Sequence, residues 1–199
     1  MPRVVDAELR RAELTDAAAR VIARSGVDAA TLRRIADEAG WTTGVLTHYF
    51  ADKESLLLAT FQASLASRRS RRLDRRLGPH FGPADELRAS LVGALPIDED
   101  RRRHWLVTLA CCTQASGNQA LADAQRDAYR EYRHHLTELV RELGVPAADP
   151  PVDPRDLAER LIAAADGVAI QALFDPASWP AERQLAALEA AMAALSMPT

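Results

Sequence analysis

Apolar residues recur every three to four positions along most of the chain, the spacing that places them on one face of an α-helix. In residues 31–40 one such stripe is formed by Leu32, Ile35, Ala36 and Ala39. Thr31 is placed to cap the N-terminus of this helix, and Gly40 supplies the positive φ that ends it in a sharp turn. A second short helix can begin at Thr42 or Thr43, and Asp52 is placed to cap the helix that follows it. The pattern therefore predicts a helix, a tight turn and a helix.

Longer stripes, punctuated by glycine and proline, bring the expected total to about nine helices and predict an all-α fold. The predicted bounds of the longer helices are about Asp6–Ser25, Lys53–Leu77, Ala84–Leu95, Glu99–Ser116, Asn118–Leu143, Pro154–Phe174 and Ala181–Leu195. We expect an N-terminal three-helix domain with the helix-turn-helix over residues 1–52. A helical bundle over residues 53–199 would form the second domain.

The second short helix has a polar side that suits nucleic-acid contact. Thr42, Thr43, Thr47 and His48 lie on that side, while Leu46 and Phe50 face the packing side. Short hydroxyls and an imidazole reach base edges and phosphate oxygens, and a helix-turn-helix presents such residues to the major groove. The alternative is a helical hairpin of the kind found in many all-α proteins, with solvated threonines.

The same stretch resembles the DNA-binding domain of the tetracycline-repressor (TetR) family. The matching pieces are Ile35-Ala36-Asp37-Glu38-Ala39-Gly40, His48-Tyr49-Phe50 and Lys53-Glu54-Ser55-Leu56. Thr47 departs from the tyrosine frequent at that position and is similar to the branch with the choline-responsive betaine-pathway repressors. The resemblance implies base contacts by Thr42, Thr43, Thr47 and His48, and phosphate contacts by Thr31, Tyr49 and Lys53.

The second half resembles the betaine-repressor type of regulatory domain, on Ala94-Leu95-Pro96-Ile97-Asp98, Trp105 and residues 166–173. This implies a ligand-sensing and dimerising helical domain. Pockets between bundle helices are the usual place for a ligand. The candidate lining residues are Trp105, Thr108, Cys112, Tyr129, Tyr132, Asp166 and Phe174. The aromatic residues of this set would form a box for a cationic amine, with Asp166 as the counter-charge. The alternative is that they belong to the hydrophobic core, because an aromatic stripe at helical spacing also suits a core.

The helix predicted over 154–174 carries two apolar stripes and therefore needs two packing partners. A twofold four-helix interface made with the last helix would bury both and would suit a palindromic operator. The interface residues predicted on this basis are Leu161, Val168, Leu185, Leu188 and Met192. Packing of both stripes inside one chain is the alternative.

The charge balance and the cysteines limit how the chain could bind DNA or a metal ion. The formal net charge is −3, and residues 1–53 hold eight basic and eight acidic side chains, so DNA binding would rest on a local basic face. The arginines between Arg68 and Arg76 are expected to be solvated and paired with acids such as Asp98, Glu99 and Asp100. The adjacent Cys111 and Cys112 suit neither an ordinary disulfide nor a CxxC metal site. Without a membrane-length apolar run or a signal peptide, we expect a cytoplasmic protein without membrane contact.

The sequence predicts a regulator rather than an enzyme. It lacks HExxH, GxSxG and GxxxxGK motifs, and no cofactor is expected. Glu131 with His135, or His134 with Glu138, could hold a metal but more often form helix salt bridges. We expect a homodimeric repressor that binds double-stranded operator DNA and leaves it when a small-molecule effector binds. The alternatives are an activator of the same fold or, in another class, a small all-α enzyme or metal-binding protein.

Overall fold

The computed structural model describes residues 2–75, 82–144 and 152–196. These described residues form helices and connecting turns without a strand, which confirms the predicted all-α fold. The helices are α1 (Pro2–Ala29), α2 (Leu32–Ala39), α3 (Thr43–Tyr49), α4 (Lys53–Arg75), α5 (Pro83–Val92), α6 (Glu99–Gln114), α7 (Gln119–Leu143), α8 (Pro154–Phe174) and α9 (Ala181–Ser196).

Several helix ends differ from the predicted ones. Helix α1 begins at Pro2 rather than Asp6, because proline is tolerated in a first helical turn, where its missing N–H has no partner to lose. Gly26, with φ 76° and ψ 171°, interrupts α1 where a stop was predicted, but residues 27–29 add one more turn. Helix α5 ends at Val92, three residues early, and the chain continues through hydrogen-bonded turns to Leu95. The predicted end of α4 at Leu77 lies outside the described residues.

The first of two compact units comprises Met1–Ser67 and Arg103–Gln125. Its core is built from large side chains of α1 to α4, α6 and α7, each at most 2% exposed: Leu14, Ile35, Leu46, Phe50, Leu56, Phe61, Val107 and Leu121. Helix α1 packs on α2 and α2 packs on α3. The helix-turn-helix therefore rests on a shared core, which gives its two short helices a fixed mutual orientation.

The second unit comprises Arg68–Arg102 and Arg126–Thr199. Helix α8 packs on α9, and α5 packs on both. Both apolar stripes of α8 are largely buried within this unit, and Leu188 of α9 is fully buried with them. Of the predicted interface residues, Leu161, Val168 and Leu188 thus lie in the interior of a single chain, while Leu185 and Met192 are half-buried.

The remaining sequence predictions concern charge and cysteine. Arg69 Nε lies 3.0 Å from Glu131 Oε1 of α7, so its partner is not one of the three acids predicted. The side chains of Arg71, Arg72 and Arg75, and all of Arg76, lie outside the described part of the structure. Cys111 is buried, Cys112 is exposed, and neither forms a disulfide. Among the described helices, none is long and apolar enough to cross a membrane.

Candidate DNA-contacting surface and ligand cleft

The turn between α2 and α3 is fixed by backbone hydrogen bonds. Gly40 has φ 73° and ψ 24°, and its N–H donates to the carbonyl of Asp37 while the N–H of Trp41 donates to that of Ala36. This pair of bonds satisfies the carbonyls left over at a helix end. Because no atom lies within 4 Å of the position a Cβ would take, the positive φ is the reason for glycine here. The predicted turn is confirmed.

Helix α3 presents a polar face to solvent. Thr42, Thr43, Thr47 and His48 are all exposed, whereas Leu46 is buried against the core. The Thr47 hydroxyl donates to the carbonyl of Gly44 at 3.1 Å, which orients that side chain along its own helix. The residues predicted to contact bases therefore share one accessible face of a short helix.

Two arginines of α1 hold the ends of this motif, and sequence reasoning did not single them out. Arg11 Nη1 donates to the Tyr49 carbonyl at 3.0 Å, and its guanidinium lies 4.5 Å from the centre of the Phe50 ring. The guanidinium of Arg10 lies 5.4 Å from the Trp41 ring centre. Cations over aromatic faces are attracted by the ring quadrupole. The Arg10–Arg11 pair thus places positive charge beside α3 and ties α1 to its C-terminal end.

Two of the predicted phosphate contacts, Thr31 and Lys53, lie at helix N-termini, whereas half-buried Tyr49 is the last residue of α3. Thr31 is exposed, and its Oγ1 accepts from the Arg34 N–H at 3.3 Å, which confirms the predicted cap. At the start of α4, Asp52 Oδ1 accepts from the Ser55 N–H at 2.7 Å, which confirms the second predicted cap. Hydrogen bonds from the backbone and side chain of Ser55 hold the pKa of Asp52 below its usual value. Half-buried Lys53 follows at the first position of α4, where its charge adds to the positive end of the helix dipole.

Helix α2 is tied to α1 by a partly exposed group of charges, the Glu38 clamp, in which Glu38 pairs with Arg20 and Arg24. Glu38 accepts from Arg20 Nε at 2.7 Å through Oε1 and pairs with Arg24 through Oε2. Hydrogen bonds from Arg24 and then Arg20 lower the pKa of Glu38 from 4.5 to about 2. The hydrogen bond to Glu38, with a smaller contribution from Asp16, raises the pKa of Arg20. Asp16 extends the network on α1 through its own pair with Arg20.

The predicted ligand residues have different surroundings. Trp105 and Thr108 are buried, and the Thr108 hydroxyl donates to the His104 carbonyl at 2.9 Å, while Cys112 is exposed. Buried Tyr132 donates to the Ser90 carbonyl at 3.1 Å. Phe174 is 79% exposed at the last position of α8.

Tyr129 and Asp166 do come together, in a cleft of about 630 Å³ in the second unit. Its lining residues come from α7 and α8 and are Arg126, Tyr129, Arg130, Arg133, Glu159, Ile162, Ala163 and Asp166. The Tyr129 hydroxyl donates to Asp166 Oδ2 at 2.6 Å. Burial raises the pKa of Asp166, against the opposing effects of this hydrogen bond and of Arg68.

Comparison with known proteins yields two family matches. A family model described as "Bacterial regulatory proteins, tetR family" matches residues 14–60, and one described as "BetI-type transcriptional repressor, C-terminal" matches residues 83–196. The HTH-type transcriptional regulator PksA of Bacillus subtilis is 30% identical over 177 residues, or 88% of this chain and 84% of PksA. The regulator BetI of Paraburkholderia phymatum is 31% identical over 169 residues, or 84% of this chain and 83% of BetI.

Solved structures are similar over nearly the full length. A transcriptional regulator from Rhodococcus sp. Rha1 superposes with a TM-score of 0.82 at 26% identity, covering 93% of this chain and 95% of its own. A regulator from Saccharomonospora viridis, solved in complex with choline, has a TM-score of 0.81 at 25% identity, with coverage of 92% and 94%.

Proposed function

We propose, because the chain belongs to the TetR family of bacterial transcriptional regulators with a BetI-type C-terminal region, that this DNA-binding repressor works as a homodimer. The dimer binds a palindromic operator and releases it when a small molecule occupies the second unit. Both family models and the named relatives describe regulators of transcription, so the chain is a regulator and not an enzyme.

The exposed polar face of α3 carries this proposal. In it, Thr42, Thr43, Thr47 and His48 reach base edges in the major groove, and three further residues bind phosphates: Thr31, Tyr49 and Lys53. A helix fits the roughly 12 Å width of that groove. Since the Gly40 turn and the Glu38 clamp already fix α2 and α3, little conformational entropy is lost on binding. Arg10 and Arg11 concentrate positive charge beside α3, although the formal charges of residues 1–53 as a whole cancel.

Dimer formation through α8 and α9 is supported by small and apolar residues that remain exposed on both helices. They are Gly167 and Phe174 on α8, and Ala186, Ala190 and Ala193 on α9. Small residues permit close helix approach, and an exposed phenylalanine gains most from a partner. In this arrangement Leu185 and Met192 contact the partner, whereas Leu161, Val168 and Leu188 support the interface from beneath.

The proposed effector site is the cleft between α7 and α8. The choline complex of the Saccharomonospora regulator supports a small-molecule effector for this fold. Helix α4 offers the mechanical link, because it begins at Lys53 in the first unit and continues past Ser67 into the second. There Arg69 pairs with Glu131 of α7, and Arg68 acts electrostatically on Asp166. A ligand that moves these groups would move α4, and with it the half-site spacing of roughly 34–36 Å that one DNA turn requires.

Fluorescence anisotropy with a labelled duplex from upstream of the protein's own gene tests the proposal, with a scrambled duplex for comparison. Thr43→Ala should weaken operator binding about tenfold, as expected for loss of one base contact of roughly 1–3 kcal/mol. Thr113→Ala, an exposed threonine of α6, is the matched control and should bind like the unmodified protein. An equal loss in both variants, or no binding to either duplex at low salt, would refute the role of α3.

A further inference from the structure

The charge of the α7–α8 cleft is the starting point. Three guanidinium groups line it, from Arg126, Arg130 and Arg133, against the carboxylates of Glu159 and Asp166. The arginines fall at i, i+4 and i+7 on α7, so they form one row along a single wall. The cleft therefore carries an excess of positive charge before any ligand enters.

Both carboxylates are already engaged. Glu159 Oε1 lies 3.1 Å from the Nε of Arg133 and also 3.1 Å from the Nε of Arg155. Asp166 Oδ2 accepts the short hydrogen bond from Tyr129. An entering cation would have to compete with two guanidinium groups at Glu159 and with the Tyr129 hydroxyl at Asp166. Glu159 thus offers little attraction to a cationic ligand, and the other carboxylate, Asp166, shares the cleft with three guanidinium groups.

The guanidinium groups, by contrast, can bind a further carboxylate even where each already has one partner. Each guanidinium has five N–H donors in a planar fork that matches a carboxylate. The Nε of Arg133 is enclosed beside Glu159, so the two Nη groups are the donors that this guanidinium can offer to a ligand. Arg130 pairs with Asp127 at 2.5 Å, a contact that uses Nη2 alone. The row on α7 therefore still suits an incoming anion.

The rest of the lining is apolar on α8 and poor in aromatic rings. Ile162 and Ala163 supply the aliphatic surface, and Tyr129 is the one aromatic side chain among the eight described lining residues. Trp105, Tyr132 and Phe174, which sequence analysis grouped with Tyr129, do not line this cleft. A quaternary ammonium is usually held by several aromatic faces. The predicted aromatic box is not the arrangement of this cleft.

We infer that the cleft between α7 and α8 binds a small amphipathic carboxylate rather than a cationic amine, with Arg126 and Arg133 holding the carboxylate and Ile162 and Ala163 contacting its aliphatic part. The inference rests on the proposed function in one respect only, namely that binding of this ligand should release DNA. The recognition itself is a property of the DNA-free protein and can be measured separately.

The test compares two probes of equal chain length and opposite charge. Isothermal titration calorimetry of the full-length protein with sodium octanoate and with octyltrimethylammonium chloride should show saturable heat for octanoate alone. Arg133→Gln should weaken octanoate binding about tenfold or more, as expected for a lost charge-assisted pair. If Arg133→Gln fails to fold, Arg126→Gln, at an exposed position, should show the same loss of octanoate affinity. Arg141→Gln, on the same helix but outside the cleft, is the matched control.

Three outcomes overturn the inference: saturable binding of the ammonium probe, no binding of octanoate, or equal octanoate affinity in the Arg126, Arg133 and Arg141 variants. Anisotropy with operator DNA and octanoate then tests the effector role separately. Arginine-dependent octanoate binding without release of DNA would support the ligand class and refute the proposed release. If octanoate releases DNA from the native protein but much less readily from Arg133→Gln, the result supports both the ligand class and the proposed release.

Discussion

The Glu38 clamp gives a prediction whose size follows from the structure. Glu38→Gln keeps the shape of the side chain but removes the charge that pairs with Arg20 and Arg24. Because the two arginines belong to α1 and Glu38 belongs to α2, the substitution weakens the contact between α1 and the helix-turn-helix. We expect a less stable first unit without a change of fold.

The magnitude follows from the pKa of Glu38, which falls from 4.5 to about 2 in the folded protein. At about 1.4 kcal/mol per pKa unit, this sets a ceiling of roughly 3.5 kcal/mol. Solvent screens the pair, since the Glu38 side chain is 22% exposed, that of Arg20 33% and that of Arg24 58%. Exposed pairs contribute well below such a ceiling, so we expect a loss of about 1–2 kcal/mol in the free energy of unfolding near pH 7.

The sign of the pH dependence is fixed by the direction of this pKa. Between pH 4.5 and about 2 the unfolded chain binds more protons at Glu38 than the folded chain does, so stability rises with pH across that range. The contribution is fully present above pH 4.5 and disappears as the pH approaches 2. The difference between the native protein and Glu38→Gln should therefore be largest at neutral pH and vanish under acid conditions.

Urea unfolding followed by tryptophan fluorescence at pH 7, 5 and 3 measures this difference. Glu13→Gln, at an exposed position of α1, is the control and should lie within about 0.5 kcal/mol of the native protein. If Glu38→Gln is as stable as the control at pH 7, the clamp contributes nothing measurable. A difference that stays constant down to pH 3 would show that its origin is not the charge of Glu38.

Three other predictions concern separate parts of the chain. Arg11→Gln should weaken operator binding about fivefold in anisotropy with little change in unfolding temperature, because a contact of about 1 kcal/mol that orients α3 is lost; native-like affinity would contradict this. With a thiol reagent at pH 8, exposed Cys112 should react quickly and Cys111 only after unfolding, since burial raises the pKa of Cys111 to about 12; two fast thiols would refute it. Phe174→Glu should shift sedimentation from dimer to monomer, and an unchanged dimer would exclude Phe174 from the interface.

Sequence predicted best the features that depend on neighbouring residues. The Thr31 and Asp52 caps and the Gly40 turn each follow from a single residue type and its position, and each is present. The same holds for the buried and exposed sides of α3, because helical spacing alone decides which residues share a face.

Contacts between distant residues could not be predicted in this way. Arg11 and Tyr49 are 38 positions apart, and nothing in local spacing pairs them. The cleft was only half predicted, since Tyr129 and Asp166 were singled out for aromaticity and charge while the arginines on the same wall were not. Phe174 shows the opposite error, because an aromatic residue at a helix end can point to solvent and take no part in a core.

The proposed release of DNA by a ligand would have to obey thermodynamic linkage, which constrains how such a repressor can work. A ligand shifts a conformational equilibrium only as far as its affinity differs between the two states. In the proposed mechanism that difference arises where α4 joins the cleft, at Arg69 with Glu131 and at Arg68 near Asp166. Coupling free energies of this kind are typically about 1–3 kcal/mol and are reciprocal. If a carboxylate weakens operator binding by a given factor, operator DNA must weaken carboxylate binding by the same factor.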